Sequence, residues 1–212
     1  MKLPSLSPTG SSQKSHDKTP ETAELPARET VKACLTTAEQ LEQQGHVREA
    51  RLLYEKARAL DANAAPYARH LATLYEREGD YPHALAEYQV ALKAAPRDAD
   101  LLNDFGYFYF RQANWTEAEA QFRKAIAASP DHQRATINLG QALAYQGRYP
   151  EAFDTFGKIV GPAAAHSNIG AIMAKQGRIA EAKTAFQNAL ALNSNLPQPK
   201  AFLAYFEQQN GG

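Results

Sequence analysis

From Glu29 onward the apolar residues recur three and four places apart, the spacing of amphipathic helices with one buried face. Leu71, Ala72 and Tyr75 form one such stripe, and Ala84, Tyr88 and Ala91 form the next. Phe105, Gly106 and Tyr109 precede Ala118, Phe122 and Ala125 in the same order. Leu139, Gly140 and Leu143 lead to Ala152, Phe156 and Ile159, and Ile169, Gly170 and Met173 lead to Ala182, Phe186 and Ala189. A weaker copy opens the series with Ala38, Leu41, Ala50, Tyr54 and Ala57. Between the two stripes of each copy stands a polar turn: QGHVREAR from 44, EGDYPHAL from 78, QANWTEAE from 112, QGRYPEAF from 146 and QGRIAEAK from 176. The turn residues Gly45, Gly79, Ala113, Gly147 and Gly177 are spaced 34, 34, 34 and 30 apart. The pattern predicts five helix–turn–helix units, at 31–64, 65–98, 99–132, 133–162 and 163–196. Within a unit, small residues at the eighth and twentieth positions let its two helices approach, and an aromatic at the twenty-fourth fills the space beside them. Glycine at the turn supplies the positive φ that ends the first helix. Pro82 and Pro150 fit the first turn of a second helix, and Pro96 and Pro130 lie beyond the ends of second helices.

The 30-residue step marks a deletion of four residues at IVGPAAAH, 159 to 166, where Gly161 and Pro162 are expected to end the fourth unit's second helix about one turn early. The stretch PQPKAFLAYFEQQ, 197 to 209, starts with proline and carries apolar residues at 201, 202, 203, 205 and 206; it predicts a helix capping the last exposed face. Residues 1–28 are rich in Ser, Pro, Thr and Lys and cannot offset their ordering entropy by burial, so a disordered polar tail is expected ahead of a structured body at 29–209.

A 34-residue helix–turn–helix period resembles that of the tetratricopeptide repeat family, over about 85% of the chain. The frequent tryptophan near the start of that family's repeats is here Cys34, Ala68, Leu102, Thr136 and His166. The resemblance implies an all-α fold, a right-handed α-solenoid of about five such units plus the C-terminal capping helix. It also implies a concave wall drawn from the second, fifth, sixth, ninth, twelfth and thirteenth positions of each unit. These give Lys32, Glu39, Glu42 and Gln43, then Arg69, Thr73, Glu76 and Arg77. They continue with Asp100, Asn103, Asp104, Tyr107, Phe110 and Arg111, then Arg134, Asn138, Gln141 and Tyr145, and end with Ser167, Asn168 and Lys175. The candidate peptide-binding groove is Asn103, Asp104, Tyr107, Arg111, Arg134, Asn138, Gln141, Tyr145, Asn168 and Lys175. Asn138 and Asn168 share one unit position and are similar to the asparagine ladder by which some members hold the backbone of an extended peptide. The alternative is that this asparagine bonds a neighbouring helix. Members that grip a chaperone's C-terminal carboxylate use Lys and Asn in the first unit where Leu35 and Glu39 stand here, which disfavours that subtype.

The chain of 212 residues is 44% hydrophobic, enough for a substantial core. Its 23 basic and 23 acidic residues cancel, leaving no electrostatic footprint for nucleic acid. No apolar run approaches a membrane span, and the prolines of MKLPSLSPTG break any secretory h-region, so a cytoplasmic location without membrane insertion is expected. A lone cysteine, Cys34, excludes an intramolecular disulfide and sits at an inward position. Phosphate loops, metal-ligand pairs and nucleophile motifs are absent, and the six histidines are scattered, so no enzyme, metal or cofactor is expected. Trp115 falls two residues after its turn, where its siblings are Val47, Tyr81, Tyr149 and Ile179, and is expected to pack rather than bind. The function implied is a non-catalytic adaptor that binds a protein or peptide segment in the concave groove. The alternative is a structural or assembly accessory, for instance of a bacterial pilus or secretion system, acting through its convex face or self-association.

Overall fold

The computed structural model describes residues 26–61, 63 and 65–210, with the side chains of the last two left out; the expected tail lies almost wholly outside the described residues. Among the described residues ten helices run α1 (Ala27–Gln44), α2 (Val47–Leu60), α3 (Ala65–Glu78), α4 (Tyr81–Ala94), α5 (Ala99–Arg111), α6 (Trp115–Ala128), α7 (Gln133–Tyr145), α8 (Tyr149–Lys175), α9 (Ile179–Leu192) and α10 (Pro197–Asn210). No strand occurs among the described residues. Consecutive helices pack as antiparallel pairs, each pair stacks on the next, and α10 covers α9, so the architecture is a right-handed α-solenoid of five units and a cap.

The turns share one hydrogen-bond pattern. The residue after each turn residue donates its N–H to a carbonyl five residues back: His46 to Leu41 (2.9 Å), Asp80 to Tyr75 (2.9 Å), Asn114 to Tyr109 (3.0 Å), Arg148 to Leu143 (3.0 Å) and Arg178 to Met173 (2.9 Å). This closure satisfies carbonyls that the helix end would orphan, and it needs a left-handed residue at the turn. Gly45, Gly79, Gly147 and Gly177 supply it with φ near 80°, while Ala113 is forced to φ 59°, the one positive-φ residue with a side chain among the described residues.

In the last three units an aromatic ring lies on the backbone of the facing helix. Phe122, Phe156 and Phe186 are fully buried, and each ring rests on a glycine of its own unit's first helix. A Cβ built on Gly106 would sit 2.6 Å from Cε1 of Phe122; on Gly140, 2.9 Å from Cδ1 of Phe156; on Gly170, 2.9 Å from Cε1 of Phe186. In the first two units the same positions hold Ala38 with Tyr54 and Ala72 with Tyr88, all buried. Cys34 is buried as a small apolar group, and Trp115 stacks on Tyr145 with ring centroids 4.6 Å apart.

The fourth unit departs from the expectation of a helix cut short by a full turn. The backbone is helical on both sides of Gly161, whose φ 78° and ψ 166° break α8 there. The first part, 149–160, ends two positions earlier than α4 and α6 do in their own units. Most of the deletion comes out of the connector: the other units use 61–64, 95–98, 129–132 and 193–196, and here Gly161 alone joins the helices. Pro162 then occupies the first turn of the second part, where its missing N–H costs nothing.

Two outcomes follow. Gly140→Ala should destabilise by about 1–3 kcal/mol although alanine is the better helix former, because its Cβ collides with Phe156. Gly157→Ala, in a helix interior with nothing within 4 Å of the added carbon, should instead stabilise by about 1 kcal/mol; equal shifts in thermal melts would refute the ring-on-glycine contact. Ala113→Gly should raise stability by about 1 kcal/mol by relieving the left-handed alanine, and an unchanged or lower melting temperature would count against that strain.

Candidate functional site

The wall residues stand on α1, α3, α5, α7 and the second part of α8, the first helices of the five units, and the candidate groove residues on the last three of these. Because these helices lie side by side, a residue on one meets residues about one period away on the next. Arg69 Nη2 donates to Asp104 Oδ2 at 2.6 Å, and Asp98 lies 3.8 Å from Arg69 Nη1. Arg111 Nη1 donates to Glu76 Oε1 at 3.2 Å, and Asn138 Nδ2 donates to Asn103 Oδ1 at 2.9 Å. Arg134 bonds Asp100, which His132 Nε2 also approaches at 3.2 Å. The Arg134 hydrogen bond holds the Asp100 carboxyl below its usual range. In the first two units His70 Nδ1 lies 3.1 Å from Glu42 Oε2, and both meet the Tyr54 hydroxyl.

These helices enclose two adjoining cavities. One, of about 290 Å³, is lined by Thr73, Glu76, Tyr88, Asn103, Asp104, Tyr107, Arg134 and Asn138. The second, of about 330 Å³, is lined by Tyr107, Phe110, Gln141, Tyr145, Asn168, Ala171, Ile172 and Lys175. Tyr107 belongs to both and is 44% exposed. Of the ten residues expected in the groove, all but Arg111 line one cavity or the other; Arg111 stands beside them on Glu76. Tyr88 is a cavity residue outside the wall positions. It occupies the core aromatic position, and its hydroxyl reaches the cavity by donating to Glu76 Oε2 at 3.2 Å. Burial lifts the Glu76 carboxyl above its usual range, against the hydrogen bonds from Tyr88 and Arg111.

The two cavities differ in what their polar groups already hold. In the first, Glu76, Asn103, Asp104, Arg134 and Asn138 are all engaged with one another or with a neighbouring unit. In the second, the side chains of Gln141, Asn168 and Lys175 make no hydrogen bond or ion pair among the described residues. An aromatic cluster backs this second cavity: Phe110 meets Tyr145 edge-on at 5.4 Å and Tyr107 at 5.9 Å, with Trp115 stacked behind Tyr145. The two asparagines therefore differ, since Asn138 bonds the neighbouring helix and Asn168 is open.

A larger cleft, about 520 Å³, lies on the face formed by the second helices, between the first part of α8 and α9. Phe153, Ile169, Met173 and Ala185 make it mostly apolar, with Asp154 and Glu181 at its lining. His166, packed on Phe153 with centroids 4.6 Å apart, is held below its usual pKa by burial. Among the described residues no three His, Cys, Asp or Glu side chains gather as a metal site, and no helix is long and apolar enough to cross a membrane.

Family models match most of the body. The middle tetratricopeptide-like domain of cilia and flagella-associated protein 70 matches residues 68–167, and tetratricopeptide repeat models match 35–99 and 163–196. A search of curated proteins by sequence found no match. Among solved structures, YrrB, described as a tetratricopeptide repeat protein with an unusual peptide-binding site, is 20% identical with a TM-score of 0.62, over 83% of this chain and 98% of its own. PilF of Pseudomonas aeruginosa is 18% identical with a TM-score of 0.61, over 88% and 94%. A tetratricopeptide repeat protein of Parabacteroides merdae is 16% identical with a TM-score of 0.67, over 86% and 74%. With five copies of one turn, three ring-on-glycine contacts and these matches, the chain belongs to the tetratricopeptide repeat family.

Proposed function

We propose that this protein is a non-catalytic adaptor that binds an extended segment of a protein partner along the concave wall of its first helices. Tetratricopeptide repeat domains mediate protein–protein interaction in general, which gives the coarse function. The observation that carries the finer reading is the meeting of wall residues from four successive units in two adjoining cavities that share the exposed Tyr107. A partly exposed tyrosine flanked by aromatics supplies apolar contact area at low entropic cost, and open amides beside it can pair with peptide N–H and C=O groups. YrrB, with its peptide-binding site, is a precedent for such a ligand on this fold.

The apolar cleft at Phe153 supports a second reading, an assembly accessory that docks through the face of its second helices. Affinity capture from the source cells separates the two. Tyr107→Ala and Tyr145→Ala should release the captured partner if the concave wall binds, whereas Phe153→Ala should release it if the cleft does.

The asparagines should separate in the same assays. Asn138→Ala should lower stability by about 1 kcal/mol, because Asn103 is only 3% exposed and loses the donor to its side-chain oxygen. Asn168→Ala should leave the melting temperature unchanged and weaken partner binding by about 0.5–1.5 kcal/mol. A fall in melting temperature for Asn168→Ala with unchanged affinity would remove it from the site.

A further inference from the structure

The cross-unit pairs of the wall follow two diagonals. The fifth position of one unit meets the sixth of the next: Arg69 with Asp104, then Asn103 with Asn138. The twelfth position meets the thirteenth of the next: Glu76 with Arg111, then Phe110 edge-on with Tyr145. Polar meets polar and aromatic meets aromatic, so both diagonals are satisfied from the second unit to the fourth. At the step into the fifth unit both diagonals break together. The fifth-position residue is Ile137, whose side chain cannot accept or donate, and the sixth-position residue of the fifth unit is Asn168. The twelfth-position residue is Ala144, fully buried and without a charge, and the thirteenth is Lys175. One amide and one ammonium are thereby left open in a single cavity, beside the open amide of Gln141 and the aromatic shelf of Tyr107, Phe110 and Tyr145.

We infer that the partner segment itself completes these two broken diagonals, and that it carries an acidic side chain next to an apolar one. This rests on the adaptor reading above and names its ligand chemistry. Lys175 takes the Asp or Glu carboxylate that Ala144 does not supply, as Arg111 takes Glu76 one unit earlier. Asn168 takes a peptide group in place of the partner that Ile137 does not supply, and the apolar residue lies on the Tyr107–Tyr145 shelf. The acid is internal to the segment, not a chain terminus, on the ground that the second cavity shares its Tyr107 wall with the first, so the backbone has a polar cavity to enter beyond the acid site. Charge decides the sign. The acids lining the first cavity, Glu76 and Asp104, already hold arginines, while in the second the one cation is uncompensated.

Selection of random dodecapeptides displayed on phage, against the immobilised full chain, tests this. Wild type should enrich peptides with Asp or Glu adjacent to Leu, Phe, Tyr or Trp, and amidating their C-termini should change nothing. For synthetic fluorescein-labelled copies, Lys175→Glu should weaken binding at least about tenfold and Lys175→Gln several-fold, with the loss absent when the peptide acid is replaced by its amide. Lys175 is exposed, so unchanged melting temperatures confirm that both variants fold. Peptides that lose binding in Tyr107→Ala yet show no acid and ignore Lys175→Glu would overturn the inference and leave the groove reading standing. Enrichment of peptides whose binding depends on a free C-terminus would overturn the internal-acid assignment. Failure to enrich any peptide sensitive to Tyr107→Ala or Tyr145→Ala would overturn both.

Discussion

The structure depends on one arrangement repeated in five units: a buried aromatic at the twenty-fourth position and a small residue at the eighth, which in the last three units lets the ring lie on the backbone of its own unit's first helix. It fixes how closely two helices approach, and so where every wall residue stands relative to the next unit. The arrangement comes in two versions. In the last three units a bare glycine faces phenylalanine, and the ring comes so near that even a methyl group would collide. In the first two, Ala38 and Ala72 face Tyr54 and Tyr88. These pairs change together because a tyrosine in a dry interior needs a partner for its hydroxyl.

That need sets further residues. Tyr54 and Tyr88 each find a glutamate twelve residues earlier, Glu42 and Glu76. A half-buried carboxylate in turn requires donors or a cation, which His70 supplies to Glu42 and Arg111 to Glu76. A hydroxyl in the core thus propagates, through an acid at the twelfth position, to a basic group on the wall of the following unit. Phenylalanine starts no such chain. Where Phe122, Phe156 and Phe186 stand, the twelfth positions are Phe110, Ala144 and Ala174, and none can carry an ion pair outward.

The helix pairs, turns and core aromatics were legible because each recurs at a fixed offset in every unit, so that five weak local signals reinforce one another. Even Ala113, a poor turn residue, was identifiable by its place in the period. What the period could not show was how a deletion divides between helix and connector. That division follows from Gly161, whose left-handed backbone turns the chain within one residue and spares most of the helix. The wall positions were legible from the family pattern, and those from Thr73 to Lys175 that line the two cavities include nine of the ten candidate groove residues. The difference between Asn138 and Asn168 was not, since both occupy the same unit position. It depends on Asn103 and Ile137, one diagonal step away, a relation that a 34-residue register does not expose. Tyr88 escaped for a related reason, being a core residue by position and a cavity residue only through its hydroxyl. The cleft at Phe153 lies between the two parts of α8 and α9, and the repeating pattern does not mark it.

Core chemistry and wall chemistry are therefore not independent in this solenoid. In the units with tyrosine cores the acids at the twelfth position, Glu42 and Glu76, are held by basic groups of the following unit. The units with phenylalanine cores need no acid at the twelfth position, and at the step from the fourth unit to the fifth the basic residue that would have answered it, Lys175, is left facing the groove. Lys175 is open because Ala144 is apolar, and Ala144 can be apolar because Phe156 has no hydroxyl to satisfy. A gradient in how self-sufficient the wall is, closed at the second unit and open at the fifth, is a physical basis for placing the ligand toward the C-terminal end of the groove.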